Sequence, residues 1–542
     1  MNLTVVDSVV LFVYLLGILL VGLACARKSQ STEHFMAAGR SMAGWVVGLS
    51  IFGTFLSSIT FIGNPGKAFQ DNWNGWVFSL SLPLAGWIAV RVFVPFYRRG
   101  SALSAYEHLE QRFGLWARSY VSLLYLLMQV ARSGMILSGV SLAVSQLTGL
   151  PMSTVIVIAG ALITLYTMLG GIEAVIWTDV VQSLVLGVGA LVILAMILLK
   201  LPEGPGSLMS VAGEANKLSL GSWEANFVEP TIWVMLIYGV AINLTNFGID
   251  QSYVQRFLTA KDDAAAARSV WIGVILYVPI SLVFFLIGSS LWTLDRTDER
   301  AFAELREQVI EQRVDVGTGS VDRTEETTEP SLSVPATVSD EELGDKVLPF
   351  FIVHHLPMGL TGLLIAAIIA AAMSSVDTSL NSSATVFLQD FYKRYLNAQA
   401  SETVQMRVLY GATLCIGLAG IGVGLFAASH KSLLDVWWNW SGLLAGGMLG
   451  LFLLSVFAHR AWMGPALLAA ILGTLVIAWV NPPAAESLPT AWREWLDSPA
   501  MSLPRQFLHK NLAGTAGTLV IFFVGWGLSW LWPRPAGSLQ EE

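Results

Sequence analysis

Long apolar stretches alternate with short polar ones along most of the chain, and each is close to the ~20 residues that a helix needs to cross a bilayer. The pattern predicts thirteen spans, near 4–25, 43–63, 74–96, 118–147, 151–170, 175–199, 231–249, 269–293, 348–373, 405–428, 433–457, 462–481 and 512–532. The first apolar run, Val5 to Cys25, is followed rather than preceded by basic residues, Arg27 and Lys28. It therefore reads as a spanning helix with its N-terminus outside, not as a secretory signal. Threading the remaining spans from that start places Arg40, Arg98, Arg99, Arg112, Arg118, Arg256, Lys261, Arg268, Lys393, Arg394, Arg407 and Arg460 in the cytoplasm. The short outer loops hold fewer basic residues, such as Lys67, Lys217 and Lys431. This bias supports the orientation, and an odd number of spans puts 533–542 inside. The extended polar region lies outside, from about Leu294 to Lys346. Arg300 to Arg313 predicts a short helix there. The rest, with Thr324 to Pro330 and Ser339 to Glu342, reads as a solvated acidic loop: a variable insertion, or a surface that attracts cations or a partner.

Composition agrees with the hydropathy. The chain is 54% hydrophobic and 13% charged, against roughly 25% charged in soluble domains. The net charge of -8 comes largely from the acidic stretch Asp295 to Asp345, so no nucleic-acid footprint remains. Cys25 and Cys415 fall in apolar runs, and no CxxC or Cys/His cluster predicts a structural metal. HExxH, GxSxG and a Walker A lysine are missing. His354 and His355 abut an outer span start and read as interfacial. No enzyme activity and no cofactor are expected, and the location predicted is the plasma membrane, as a multi-pass protein of the bacterial inner membrane.

Polar groups inside spans are where chemistry is expected. The second span carries Gly48, Ser50, Gly53, Thr54, Ser57, Ser58 and Thr60, closed by Gly63, Asn64, Pro65 and Gly66. Such a span is either interrupted, with freed carbonyls aimed at a cation, or a tight packing face whose hydroxyls bond back to their own backbone. The seventh span has a similar polar half, with Asn243, Thr245, Asn246, Gly248, Asp250 and Gln251. Setting the first span aside, the two interrupted spans open two five-helix halves, the spacing of an inverted repeat. The ninth span runs into Ser374, Ser375, Asp377, Thr378, Ser379, Asn381, Ser382 and Ser383. Ser374, Asp377 and Thr378 share a helical face, and hydroxyl and carboxylate oxygens suit a hard cation such as sodium. The alternative is a hydrophilic helix end at the cytoplasmic surface. Arg132 sits mid-span and requires a partner or an anionic ligand. Asp179, near the start of the sixth span, either helps hold a cation or caps the helix.

Four stretches, in order, resemble the sodium/solute symporter family: Leu56 to Phe61 with Pro65 to Phe69, Gly170 to Asp179, Val254 to Arg256, and Ser374 to Ser382. The resemblance covers about residues 4–480 and is nearest to the bacterial sodium–sialic acid branch. It implies an all-α polytopic membrane protein with the LeuT-type five-plus-five inverted repeat and about 13 transmembrane helices. The expected divisions are a leading helix and loop (1–42), the first repeat (43–200), the second repeat with the outer loop 295–346 (201–457), and two C-terminal helices and a tail (458–542). By resemblance, Gly53, Leu56, Ala371, Ser374 and Ser375 hold a sodium ion. Asp179, Ser374, Asp377 and Thr378 match a second sodium site, although Asp377 stands where that branch has serine. Arg132, Ser57 and Thr60 match residues that meet the solute and its carboxylate. Phe55 and Ser79 replace the branch's threonine and glutamine, and Asn243 joins the expected pocket. Sodium-coupled import of a sugar, sugar acid or other monocarboxylate by alternating access is thus expected. The partners are sodium, the solute and membrane lipid, with the oligomeric state left open. A transport-inactive sensor on the same fold is the rival reading, disfavoured by the lack of a recognisable soluble output domain.

Overall fold

The computed structural model describes residues 4–27, 29–100, 103–298, 300–318, 338–428, 446–482, 498 and 506–532. These are almost wholly helical; one isolated bridge, Met42 to Ala260, is the sole β pairing among them. Nine helices are long and apolar enough to cross a membrane, and two bent pairs raise the number to eleven. The 49-residue helix Met152–Lys200 adds one more span. Unbroken it would be about 74 Å long, more than twice the hydrocarbon thickness. It breaks at Gly171, where φ is 60° and ψ is -160°. A side chain there would be strained, and a Cβ would lie 2.7 Å from Ser29 Oγ.

The first repeat comprises α1 (Gly44–Phe55), α2 (Ser58–Gln70), α3 (Trp73–Arg98), α4 (Leu115–Thr148), α5 (152–170) and α6 (172–200). The second opens with α7 (Ile232–Gly248) and α8 (Gln251–Thr259), followed by α9 (Asp263–Thr297), α10 (Leu360–Leu396), α11 (Glu402–Ala427) and the shorter α12 (Gly446–Phe457). The leading helix Val5–Ala26 lies outside both, and Met463–Val480 and Ala513–Leu531 follow them. Only 17% of the leading span is buried, whereas 83% of α10 is. The helix richest in hydroxyls is therefore shielded from lipid by its neighbours.

Each repeat opens with the same device. α1 ends at Leu56 (φ -87°, ψ 76°), and the Ser57 hydroxyl accepts the Thr60 N–H to cap α2. α7 ends at Ile249, and the Asp250 carboxylate accepts the Ser252 N–H at 2.8 Å to cap α8. A capping side chain lets a helix restart at an angle, and each pair bends by 49°.

The second span is interrupted, as its composition suggested: α1 ends at Leu56, and α2 restarts after Ser57 and runs through Pro65 to Gln70. Two expectations need correction. The ninth span is not 348–373. Residues up to His355 belong to a separate outer helix, Asp340–His355, and the span itself is α10. Its hydroxyl stretch is therefore mid-span, not a cytoplasmic end. α8 also extends the seventh span, which the hydropathy had ended at 249; all nine of its residues are buried.

Asp340–His355 packs on α2, with Gln70 Nε2 donating to Glu341 O at 3.2 Å. Lys217 Nζ donates to Phe69 O and Gln70 O, each at 2.7 Å, where the helix dipole favours a cation. The predicted short helix forms as Ala303–Thr318. Thr324 to Pro330, Lys28, Lys431, 433–445 and 533–542 lie outside the described residues.

Candidate functional site

Where α1, α6, α8 and α10 meet, a polar cluster is sealed from water and lipid. Gly53, two residues before the chain leaves α1, lies so close to its neighbours that a Cβ there would be 3.2 Å from Ser374 Oγ and 2.5 Å from Ser183 Oγ. The broken segment of the first repeat thus touches the hydroxyl stretch of the second. Asp179 is fully buried well inside α6, so it does not cap that helix. Its Oδ1 accepts from Ser374 Oγ and its Oδ2 from Ser50 Oγ, both at 2.5 Å. Arg256 completes the junction. Its Nη2 donates to Asp179 Oδ2 at 2.8 Å and to Thr378 Oγ1 at 2.6 Å, and its Nε donates to Ser50 Oγ at 2.8 Å.

The hydroxyls of α10 divide into two kinds. Thr378, Ser379, Ser382 and Thr385 donate to the carbonyls of Ser374, Ser375, Thr378 and Asn381, four residues back. That is the usual recourse of Ser and Thr in membrane helices. Ser375 and Ser383 are different: their hydroxyls are fully buried and have no hydrogen-bond partner, and Ser375 is the one that adjoins Ser374. A buried orphan of this kind calls for a ligand, ion or water. Ala371, one turn earlier, is also fully buried.

Asp377 points elsewhere. Its Oδ2 accepts from Tyr166 Oη on α5 at 2.5 Å, and its Oδ1 accepts the Thr378 N–H at 2.6 Å. Of the four residues matched to a second sodium, Asp179, Ser374 and Thr378 are linked through direct bonds and Arg256, while Asp377 faces α5. Asp179 and Asp377 are two buried carboxylates beside one guanidinium. If both are ionised, the cluster carries an uncompensated negative charge, which a membrane interior does not tolerate without a cation.

The expected solute residues gather around the first break. Arg132 is half-buried and donates from Nη2 to Thr54 O at 3.3 Å. No carboxylate lies within ion-pair distance of it among the described residues. Thr60 Oγ1 donates to Phe55 O at 3.1 Å and lies 3.3 Å from Ser57 Oγ. The Tyr277 hydroxyl lies beside the side chains of Thr60 and Ser79. Phe55 packs in an aromatic cluster, its ring 5.1 Å from those of Tyr253 and Tyr277. Asn243 turns to α3, donating to Ser81 Oγ at 2.9 Å and leaving its Oδ1 without a partner.

Sequence reasoning placed Arg256 in a polar loop as well as in a motif, whereas it is fully buried and paired with Asp179; that reasoning gave no role to Ser50, Tyr166 or Gln129. An arginine in a stretch with Tyr253, Val254, Phe257 and Leu258 was the available signal that another membrane segment followed Asp250. No group of three or more His, Cys, Asp or Glu able to hold a metal occurs among the described residues. The oxygen donors at the junction are those of an alkali cation rather than of a transition metal.

The sequence profile of the sodium:solute symporter family matches residues 35–297 and 328–473. The chain is 32% identical to the sodium/sialic acid symporter SiaT of Proteus mirabilis over 481 residues, 87% of this chain and 88% of that protein. It is 27% identical to mouse sodium-coupled monocarboxylate transporter 1, covering 83% of this chain and 68% of that protein. A solved substrate-bound, outward-open state of a Na+-coupled sialic acid symporter superposes with a TM-score of 0.80 at 27% identity. The match covers 98% of this chain and 99% of that one. The LeuT-type architecture, the multi-pass membrane character and the profile match lead to one conclusion: the chain belongs to the sodium:solute symporter family and couples solute transport to sodium.

Proposed function

We propose that the chain imports a small carboxylate, a sugar acid of the sialic acid type foremost, with sodium bound where the first broken helix meets α10. The ion's ligands are the carbonyls of Gly53, Leu56 and Ala371 and the hydroxyls of Ser374 and Ser375. The single observation behind this site is the orphaned Ser375 hydroxyl, buried beside Ser374 at the point where α1 comes undone. Leu56 closes α1 through its N–H, bonded to Phe52 O and Gly53 O, and its ψ of 76° turns its carbonyl out of the helix, where it can face a cation. The solute docks against Ser57, Thr60 and Arg132. A guanidinium whose protein partner is one carbonyl at 3.3 Å has donors left for a planar carboxylate. Sialic acids and monocarboxylates share that group, which agrees with the relatives' named solutes. Phe55, Ser79 and Asn243 shape the wall: Phe55 is packed among aromatic rings, and Ser79 acts through Tyr277.

The cycle follows alternating access. Sodium arrives from outside, ties the break to α10 and so orders the segment that presents Ser57 and Thr60. Solute binds, the two halves rock, and sodium leaves into a cytoplasm where it is scarce. A second sodium belongs at Asp179, Ser374, Thr378 and Asp377, where one added positive charge balances two carboxylates against Arg256.

Uptake of radiolabelled sialic acid and of a simple monocarboxylate by proteoliposomes tests this reading. Uptake should require an inward sodium gradient and vanish when choline replaces sodium. Sodium-independent uptake would refute the coupling, and uptake of neutral sugars alone would refute the solute class.

A further inference from the structure

The second break carries a residue that neither the sodium site nor the solute site uses. Asp250 is a buried carboxylate at the joint between α7 and α8. Opposite it stands one face of α4, on which Tyr125, Gln129 and Arg132 follow at i, i+4 and i+7. Arg132 at the top touches the first break. The two residues below it touch the second: Gln129 Nε2 donates to Asp250 Oδ2 at 3.4 Å, and Tyr125 Oη lies 3.3 Å from Asp250 Oδ1. α10 holds both from behind. Ser379 Oγ donates to Gln129 Oε1 at 2.8 Å, and Tyr125 Oη donates to Ser382 Oγ at 2.8 Å.

We propose that Asp250 is the inner gate of the solute path, a positioning residue that closes the route to the cytoplasm by docking the second broken helix on Tyr125 and Gln129. The inference rests on the alternating-access reading. Two features of the geometry carry it. First, the bonds are strong on one side and weak on the other. Within its own segment Asp250 is held at 2.8 Å by the Ser252 N–H and at 2.5 Å by the Ser252 hydroxyl. Across the interface both contacts exceed 3.2 Å, and the one Tyr125 proton is shared with the nearer Ser382. A joint that parts in every cycle needs this asymmetry, so that α8 moves as a unit and lets go at α4. Second, α8 is the plug. Around it Gln251 bonds Leu103 O and the Ala105 N–H, both at 2.7 Å, and Gln255 Nε2 donates to Met36 O at 2.6 Å. A carboxylate stripped of water favours any motion that rehydrates it. Asp250 therefore pulls toward opening while its contacts to α4 hold the gate shut, which leaves the element poised between two states.

Hydrogen exchange of the purified full-length protein in nanodiscs tests this without reference to sodium or to the solute. In Tyr125→Phe and Gln129→Leu, amides of 251–259 should exchange roughly tenfold faster, the effect of losing one hydrogen bond to a charged group, with 232–248 unchanged. Asp250→Asn keeps the cap on Ser252 but removes the drive to rehydrate, so 251–259 should exchange more slowly. Wild-type rates in 251–259 in Tyr125→Phe and Gln129→Leu, or acceleration of all core helices together, overturn the proposal. So does an Asp250→Asn protein that exchanges as fast as, or faster than, wild type. A loss of sodium dependence in uptake with these exchange patterns intact would fault the sodium reading and leave the gate standing.

Discussion

A serine inside a membrane helix has an easy way to satisfy its hydroxyl, by bonding to the carbonyl four residues back. Thr378, Ser379, Ser382 and Thr385 take it; Ser374 turns to Asp179, and Ser375 is left without a partner. Sequence could show that the stretch was unusually rich in hydroxyls. It could not show that Ser375 and Ser383 would stay unsatisfied, because that depends on where the neighbouring helices come to lie. Arg132 was legible for the opposite reason: a guanidinium in mid-span needs an explanation whatever surrounds it. Replacing it with lysine keeps the charge but loses the planar fork that grips a carboxylate. Arg132→Lys should therefore raise the solute KM by roughly tenfold to a hundredfold, the loss of one or two charge-assisted hydrogen bonds. The sodium dependence at saturating solute should stay close to wild type. A KM for sialic acid unchanged in uptake assays would remove Arg132 from the solute site.

The elements show where hydropathy stops being informative. It found both broken spans, since Gly, Ser, Thr and Asn interrupt an otherwise apolar run. Hydropathy alone did not mark the residue of the first break, because Pro65 and the glycines beside it are tolerated inside α2 while an inconspicuous Leu56 marks the end of α1. It missed α8, whose polar residues bond inward to neighbouring elements rather than to water. Among those bonds, the pair between Arg256 and Asp179 fixes α8 to α6. Removing one partner of a fully buried ion pair leaves the other charge stranded, at a cost of about 3–5 kcal/mol, whereas removing both costs less. Arg256→Met and Asp179→Asn should each lower the melting temperature sharply. The double variant should be more stable than Arg256→Met alone, as a thermal-shift double-mutant cycle can measure. Simple additivity of the two losses would mean that the pair is not what joins these helices. A second buried pair, Arg118 with Asp390 at 2.5 Å, ties α4 to the end of α10. Arg118 and Arg394 both reach Glu110 on the short helix Glu107–Phe113. Burial works to raise the Glu110 carboxyl, but the two guanidinium groups outweigh it and hold it below the usual carboxylate range. That tie persists at neutral pH and is lost only as acidification passes the depressed value.

At the scale of the whole molecule, the two repeats use one design. Each begins with a helix that breaks at a polar cap and bends by the same 49°. Each break is read by the same face of α4, through Arg132 for the first and through Gln129 and Tyr125 for the second. In the proposed cycle the first break meets solute and the second seals the exit, so that a rocking motion about α4 exposes them in turn. The all-helical, many-span character and the inverted repeat were legible in the sequence because lipid imposes length and polarity on every helix. The contact between repeats was legible only through the family resemblance, since Gly53 and Ser374 are separated by most of the chain and meet only in the fold.

The central claim is that a sodium ion sits between residues 53–56 and 371–375, held in part by the Ser375 hydroxyl. Equilibrium binding of radioactive sodium to the purified protein tests it most directly, with wild type and Ser375→Ala compared at the same pH and in potassium-free buffer. Wild type should bind saturably, and Ser375→Ala should bind roughly tenfold more weakly, in line with the loss of one oxygen ligand. Identical affinity in the two proteins would contradict the site, and absence of saturable binding in wild type would contradict the mechanism built on it.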